Sequence, residues 1–290
     1  SPAEQVGEMI LKLSQLMEAT SPDYLMVPGD VNSTLAAAIA ANKIGIPLGH
    51  LESGLRSKDR GMPEEINRLL VDEISNDFFI TEQSGIDNLR NEGKPDSAIH
   101  FVGNTMIDTL VAYEDQIEAS PVLEECGVEK GKFVLMTMHR PSNVDNAAGL
   151  QFIIDLVTDI AKDKKIVFPI HPRSKKRFEE FGLWDQLERI DRLTLTGPMD
   201  YFGFQKLVKY ANSILTDSGG IQEESTFRQV HCYTIRENTE RPITCSLGTN
   251  QLVTANCELI LEAMKNPKSG SIPPLWDGKA TWRVLEKLIP

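Results

Sequence analysis

A short apolar run ends in a polar residue, a helix-patterned stretch follows, and the same order begins again. This alternation constrains the chain more than any other feature. Residues 24–28 run into Gly29-Asp30, residues 46–51 into Glu52, and residues 78–81 and 99–102 repeat the form. It restarts at 133–138, ending at His139, then at 166–170, ending at His171, and at 193–196 before Gly197-Pro198. Residues 213–216 end at Asp217, and residues 230–235 end at Arg236. Buried strands alternating with amphipathic helices build parallel α/β sheets. Open sheets of this kind place ligand sites beyond the carboxyl ends of their strands, so two such domains facing one another are expected to enclose a cleft.

Between the helices at 64–74 and 84–91 and the later strands lies a charged stretch, 110–132, with Pro121 and two glycines and no strong strand. The domain boundary is expected there, dividing the chain into 1–112 and 113–272. The chain opens on a helix rather than a strand, with Val6, Met9, Ile10, Leu13, Leu16 and Met17 at helical spacing. The first domain is therefore expected to lack its starting strands.

Charge narrows the functions. With 42 acidic and 30 basic residues, a net of −12, the chain lacks the positive field that a nucleic-acid binder needs. No apolar run approaches bilayer thickness and no signal-peptide core opens the sequence, so no membrane partner and a cytoplasmic location are expected. Cys126, Cys232, Cys245 and Cys257 lie too far apart for CxxC motifs and are expected as reduced thiols. The histidines show no ligand spacing, so no metal is expected.

Five segments carry possible chemistry, each with a plainer reading beside it. In Thr216-Asp217-Ser218-Gly219-Gly220-Ile221-Gln222-Glu223-Glu224, a strand meets a glycine turn and a helix. Backbone N–H groups there can cradle a phosphate, with Glu224 on a ribose hydroxyl, or the glycines serve only the turn. Arg236 and Arg241 flank a turn containing Thr239, which suits a diphosphate or is a solvated charge run. Asp30, before Asn32-Ser33-Thr34, is a helix N-cap or an acid at a strand end. His50-Leu51-Glu52-Ser53-Gly54-Leu55-Arg56 and Met62-Pro63-Glu64-Glu65-Ile66-Asn67-Arg68 bring further carboxylates, which serve helix dipoles or acid–base chemistry. His139-Arg140 and His171-Pro172-Arg173 repeat one arrangement at successive strand ends.

Taken in order, PGDVNST, HLESGLRS, MPEEINR, VGNTMID, MHRPSNVD, TDSGGIQEE, RENTERP and PPLWDGKA resemble the non-hydrolysing UDP-N-acetylglucosamine 2-epimerase family across essentially the whole chain. The resemblance implies a GT-B-like fold of two Rossmann-like domains, with residues 273–290 holding a helix that crosses back to the first. It implies reversible conversion of UDP-N-acetylglucosamine to UDP-N-acetylmannosamine without cofactor, by elimination and re-addition of UDP through a 2-acetamidoglucal. The catalytic residues implied are Asp30, Glu52, Glu64 and His139. The substrate-binding residues implied or suggested are Arg56, Arg68, Arg140, His171, Phe204, Ser218, Gly219, Gly220, Glu224, Arg236, Thr239 and Arg241. A UDP-sugar partner, a homodimer and a role in surface-polysaccharide supply go with it. The family's opening strand, with its Gly-Thr-Arg-Pro-Glu motif, has no counterpart here, so a truncated and inactive chain, or a sugar-nucleotide binding module, is an alternative. A GT-B glycosyltransferase is the other.

Overall fold

Ten short strands carry the architecture of the computed structural model, which describes residues 1–289. They are β1 (Leu25–Pro28), β2 (Leu48–Leu51), β3 (Asp77–Ile80), β4 (Ile99–Phe101), β5 (Phe133–Thr137), β6 (Lys165–Pro169), β7 (Leu193–Thr196), β8 (Ser213–Thr216), β9 (His231–Ile235) and β10 (Asn250–Val253). Every pairing is parallel, and the strands form two sheets, ordered β1-β2-β3-β4 and β10-β9-β8-β5-β6-β7. The chain divides into two compact units: Ser1–Asp108 with the segment from Pro274 onward, and Thr109–Pro273. The division falls within the helix Thr105–Ala112.

In the first unit, helix Pro2–Thr20 starts at a capping box formed by Ser1 and Glu4 and ends at Ser21 in the left-handed region. Most of it is exposed, and Met17 is its buried anchor against Val27, Leu35, Ala38 and Leu48. Small residues on helix Asn32–Ile44, including Ala36, Ala38, Ala40 and Ala41, are fully buried and allow close packing. Period-two alternation splits β3: Phe78 and Ile80 join Ile86 and Leu89 on one side, and Phe79 joins Val102 and Val284 on the other.

Val284 belongs to the last helix, Ala280–Leu288, which returns to this unit. The Asp108 carboxylate accepts from the N–H groups of Ala280 and Thr281, at 3.0 and 2.6 Å, capping that helix. The buried Trp276 indole donates to the carbonyl of Thr81 at 2.9 Å. Nη1 of Arg283 donates to the carbonyl of Val102 at 3.0 Å.

The second unit repeats the logic with a wider sheet. Phe133 and Leu135 face one cluster with Val167, Ile214 and Cys232, while Val134 and Met136 face another with Leu156, Phe168 and Leu215. Strands buried on both faces read as continuous apolar runs, which is why they stood out in the sequence. The strand order reverses between β5 and β8, so adjacent helices leave in opposite directions and open a crevice at those strand tips. That topology fixes where a ligand site belongs before any side chain is considered. No helix of the described residues is long and apolar enough to cross a membrane.

Candidate active site

At the switch point, β5 delivers His139 and β8 delivers Asp217 and Ser218, with the hydroxyls of Thr137 and Thr216 in contact at 2.7 Å. Asp217 is fully buried. Its carboxylate accepts from the backbone N–H groups of His139 and Arg140, at 3.1 and 2.9 Å, and from Nδ2 of Asn143 at 3.0 Å. Nδ1 of His139 lies 3.0 Å from Oδ1 of Asp217. Burial alone would raise this carboxyl's pKa, but His139, Asn143 and the N–H of Arg140 outweigh it and hold the pKa below the usual range. Asp217 therefore ties the two central strands together as an anion.

Helix Gly219–Arg228 starts at the tip of β8. Ser218 stands at its N-cap in extended conformation without a side-chain cap bond, and the N–H groups of a first helical turn have no intrahelical acceptor. Gln222 fixes the turn from beneath. Its Nε2 donates to the carbonyl of Ser218 at 3.1 Å, and its Oε1 accepts from Thr239 and from Asn250, at 2.7 and 3.0 Å. Gly219 is required by close approach: a Cβ there would meet Nη1 of Arg241 at 2.8 Å and Oε1 of Glu240 at 2.9 Å. The glycine makes room for side chains as well as exposing backbone.

The two arginines of the following turn differ. Nε of Arg241 donates to Glu223 at 2.6 Å and its Nη1 to Glu240, which places it in a buried ion network. Nη2 of Arg236 pairs with Glu240 at 2.8 Å, whereas its Nη1 is buried without a hydrogen-bond partner. Burial raises the Glu240 pKa, but Arg241 and Arg236 together bring it down to about 2. Glu224 has the opposite balance. Burial pushes its carboxyl up to about 7, opposed only in part by Gln205 and Arg228. A recess of about 200 Å³ lies over this turn, lined by His139, His171, Met199, Phe204, Ser218 and Ile221 among others. Phe204 is half-buried there, packed with the apolar cluster beneath.

In the first unit, Asp30 and Glu52 follow neighbouring strand ends, since Pro28 pairs with Leu51 and the N–H of Gly29 donates to the carbonyl of Leu51 at 3.1 Å. Asp30 is ion-paired to Arg68, and Nδ2 of Asn67 donates to its backbone carbonyl at 2.8 Å. Glu52 sits at φ +64°, a left-handed conformation that costs an ordinary residue about 1–2 kcal/mol. Of the two glutamates after Pro63, Glu65 is buried. It accepts from Ser57 N–H and Oγ and from Lys58 N–H, each at 2.9 Å, and pairs with Arg68. Glu64 is exposed and lines a recess of about 470 Å³ with Asn32, Ser33 and Asn67.

Three residues suggested for substrate contact are engaged by neighbours within the first or second unit, Arg56 and Arg68 buried and Thr239 half-buried. Arg56 is buried, with its guanidinium spent on Asp72 at 2.7 Å, Glu92 at 2.6 Å and the carbonyl of Leu55 at 2.7 Å. Arg68 links Asp30 to Glu65, so it supports a carboxylate. Thr239 donates to Gln222 and accepts from the N–H of Arg241. The cause is common to all three: a polar side chain beside a buried acceptor is captured by it, because leaving either group unpaired would be costly. Arg140 stands at the N-cap of Pro141–Val144 and His171 at that of Pro172–Glu180. Asp72 lies outside the segments read for chemistry, and Asp217 and Gln222, though inside one of them, have no role assigned by the sequence. Asp217 was nonetheless legible as an acid placed directly after an apolar strand.

The family model described as UDP-N-acetylglucosamine 2-epimerase matches residues 1–289. The chain belongs to the UDP-N-acetylglucosamine 2-epimerase family. It is 40% identical to the UDP-N-acetylglucosamine 2-epimerase of Methanocaldococcus jannaschii over 98% of its own length and 80% of the relative's. It is 34% identical to the UDP-2,3-diacetamido-2,3-dideoxy-D-glucuronate 2-epimerase of Pseudomonas aeruginosa, with the same coverage. The crystal structure of the Methanocaldococcus jannaschii UDP-GlcNAc 2-epimerase in complex with UDP-GlcNAc and UDP superposes with a TM-score of 0.90 at 39% identity. It is covered over 81% of its chain by 99% of this one. The Neisseria meningitidis UDP-GlcNAc 2-epimerase bound to UDP-GlcNAc gives 0.89 at 28% identity, with 82% of its chain and all of this chain covered. As an epimerase-family chain with these GT-B neighbours, the protein has the α/β class expected from its strand alternation.

Proposed function

We propose that this chain interconverts UDP-N-acetylglucosamine and UDP-N-acetylmannosamine, holding UDP at the switch point of the second unit. The observation that carries the reading is the β5/β8 switch-point site in a chain matched along its length by the epimerase family. The uncapped first turn of helix Gly219–Arg228, with Ser218, Gly219 and Gly220, meets the diphosphate, and Nη1 of Arg236 supplies the positive charge. Phe204 lies beside the base, and Glu224 accepts from the ribose hydroxyls. Arg140, His171 and Arg241 border this site.

The C2–H bond is not adjacent to a carbonyl, so a carboxylate cannot remove the proton from intact substrate. Breaking the C1–O bond first sends the electron pair to UDP and leaves positive charge at C1 and the ring oxygen. A carboxylate then takes the C2 proton, giving 2-acetamidoglucal with UDP still bound. Return of a proton to the opposite face, followed by attack of the UDP oxygen on C1, completes the exchange with atoms and charge balanced. Asp30, Glu52 and Glu64 supply the proton chemistry, and His139 attends the departing phosphate. Holding the diphosphate with preorganised donors stabilises the charge that develops on the leaving group.

The test is proton NMR of UDP-N-acetylglucosamine incubated with the chain, beside calorimetry with UDP. A UDP-N-acetylmannosamine signal that grows to equilibrium is expected, with UDP bound one to one. Binding without conversion would overturn the enzymatic reading and favour a binding module. Running the assay with the UDP-2,3-diacetamido sugar acid named for the Pseudomonas relative checks the sugar specificity. The same reading expects a homodimer, which light scattering measures directly.

A further inference from the structure

His139 and His171 occupy equivalent places at the ends of β5 and β6, with ring centroids 6.0 Å apart, and both line the recess over Ser218. Their ring nitrogens are held by opposite partners. Nδ1 of His139 faces the Asp217 carboxylate at 3.0 Å. An ionised carboxylate only accepts, so that nitrogen carries the proton. Nδ1 of His171 accepts the backbone N–H of Arg173 at 3.1 Å, so its proton sits on Nε2. Two histidines from one repeated sequence pattern are thereby fixed in opposite tautomers. Asp217 itself cannot turn away, because it is fully buried and three further donors, His139 N–H, Arg140 N–H and Asn143 Nδ2, grip it.

We infer that Asp217 is the positioning residue for His139: it fixes the ring with Nδ1 protonated and keeps Nε2 available to the leaving diphosphate. The inference rests on the epimerase reading for its chemistry, but its geometry lies wholly within the second unit. Of the two rings, His139 has an anion behind Nδ1, whereas His171 has a backbone donor there.

The experiment is Asp217→Asn, read by long-range ¹H–¹⁵N spectra of the imidazoles and by kinetics. His139→Gln and His171→Gln assign the signals. In the unsubstituted protein His139 should show a protonated Nδ1 and His171 a protonated Nε2. An asparagine that turns its amide NH₂ toward the ring makes Nδ1 an acceptor, so the His139 proton should move to Nε2 while His171 is unchanged. In kcat, Asp217→Asn and His139→Gln should each cost about 10²-fold, with UDP affinity within about threefold of the parent. The double variant should be no slower than His139→Gln alone, since residues acting as one unit are not additive. An unchanged His139 spectrum, or losses that multiply in the double variant, overturns the inference.

If Asp217→Asn does not fold, Asn143→Ala removes one of the carboxylate's anchors while keeping its charge. It should slow the parent several-fold and the His139→Gln variant not at all; equal slowing in both overturns the inference. Absence of turnover in the unsubstituted protein would count against the epimerase reading alone, because the ring-nitrogen spectra still report whether Asp217 sets the His139 tautomer.

Discussion

The two units place polar residues at the same structural position, the carboxyl ends of parallel strands, and then use them differently. In the first unit most of the charge is cross-linked. His50 is buried, with Nδ1 against Asp72 at 2.6 Å and Nε2 against the carbonyl of Gly29 at 2.8 Å. Asp72 also holds Arg56, Arg56 holds Glu92, and Arg68 joins Asp30 to Glu65. Despite its burial, the Asp72 pKa is kept below the usual range by His50 and Arg56. In the second unit capacity is left over: a helix turn without a cap bond, a buried guanidinium nitrogen without a partner, and a half-exposed histidine braced from behind. Position in the sheet gathers polar groups, but pairing decides which of them can still meet a ligand.

The contrast can be broken first at Asp30. Asp30→Asn should cost about 10³-fold or more in epimerisation while UDP calorimetry stays unchanged. Retained turnover would reduce Asp30 to a partner of Arg68. Next in size is Arg56→Ala, which strands part of a buried ion network and should cost about 3 kcal/mol of stability, read from urea denaturation. Its KM should move little, and a KM effect without loss of stability would return Arg56 to the substrate. The reverse holds for Arg236→Ala. Losing one charged donor to phosphate should weaken UDP binding about tenfold with a smaller change in melting temperature.

Glu224→Gln gives the most pH-dependent effect. In the folded chain its pKa of about 7 lies above the ordinary carboxyl value of 4.5, so the native state holds the extra proton between them. Stability from this site is retained below the unfolded value and declines as pH rises through the folded one. The glutamine variant should therefore gain on the parent in melting temperature from about pH 5 to pH 8, in the unliganded protein. A constant difference across that range would mean that Glu224 is not desolvated.

Much of this fold is written locally. Residues 133–138 and 213–216 are apolar on both faces because their strands are buried on both, and β5 and β8 lie there. β10 escaped notice because Asn250 and Gln251 open it at the sheet edge, where Asn250 answers to Gln222 and Thr244 and so carries no apolar signal. The site was legible as motifs, since Ser218, Gly219, His139 and Asp30 all stand at strand ends. Their partners were not. That Glu65 is buried and Glu64 exposed, or that Arg241 is engaged where Arg236 keeps an unpaired nitrogen, depends on which acceptor the fold brings within 3 Å. Neighbouring residues of identical type cannot encode that choice.

Solvent exchange at carbon 2 tests the whole account most directly. In deuterium oxide, UDP-N-acetylmannosamine formed by the chain should carry deuterium at C2, because the returning proton comes from a side chain that has exchanged with water. Product formed with C2 fully protonated would contradict removal of that proton by Asp30, Glu52 or Glu64, and with it the elimination route.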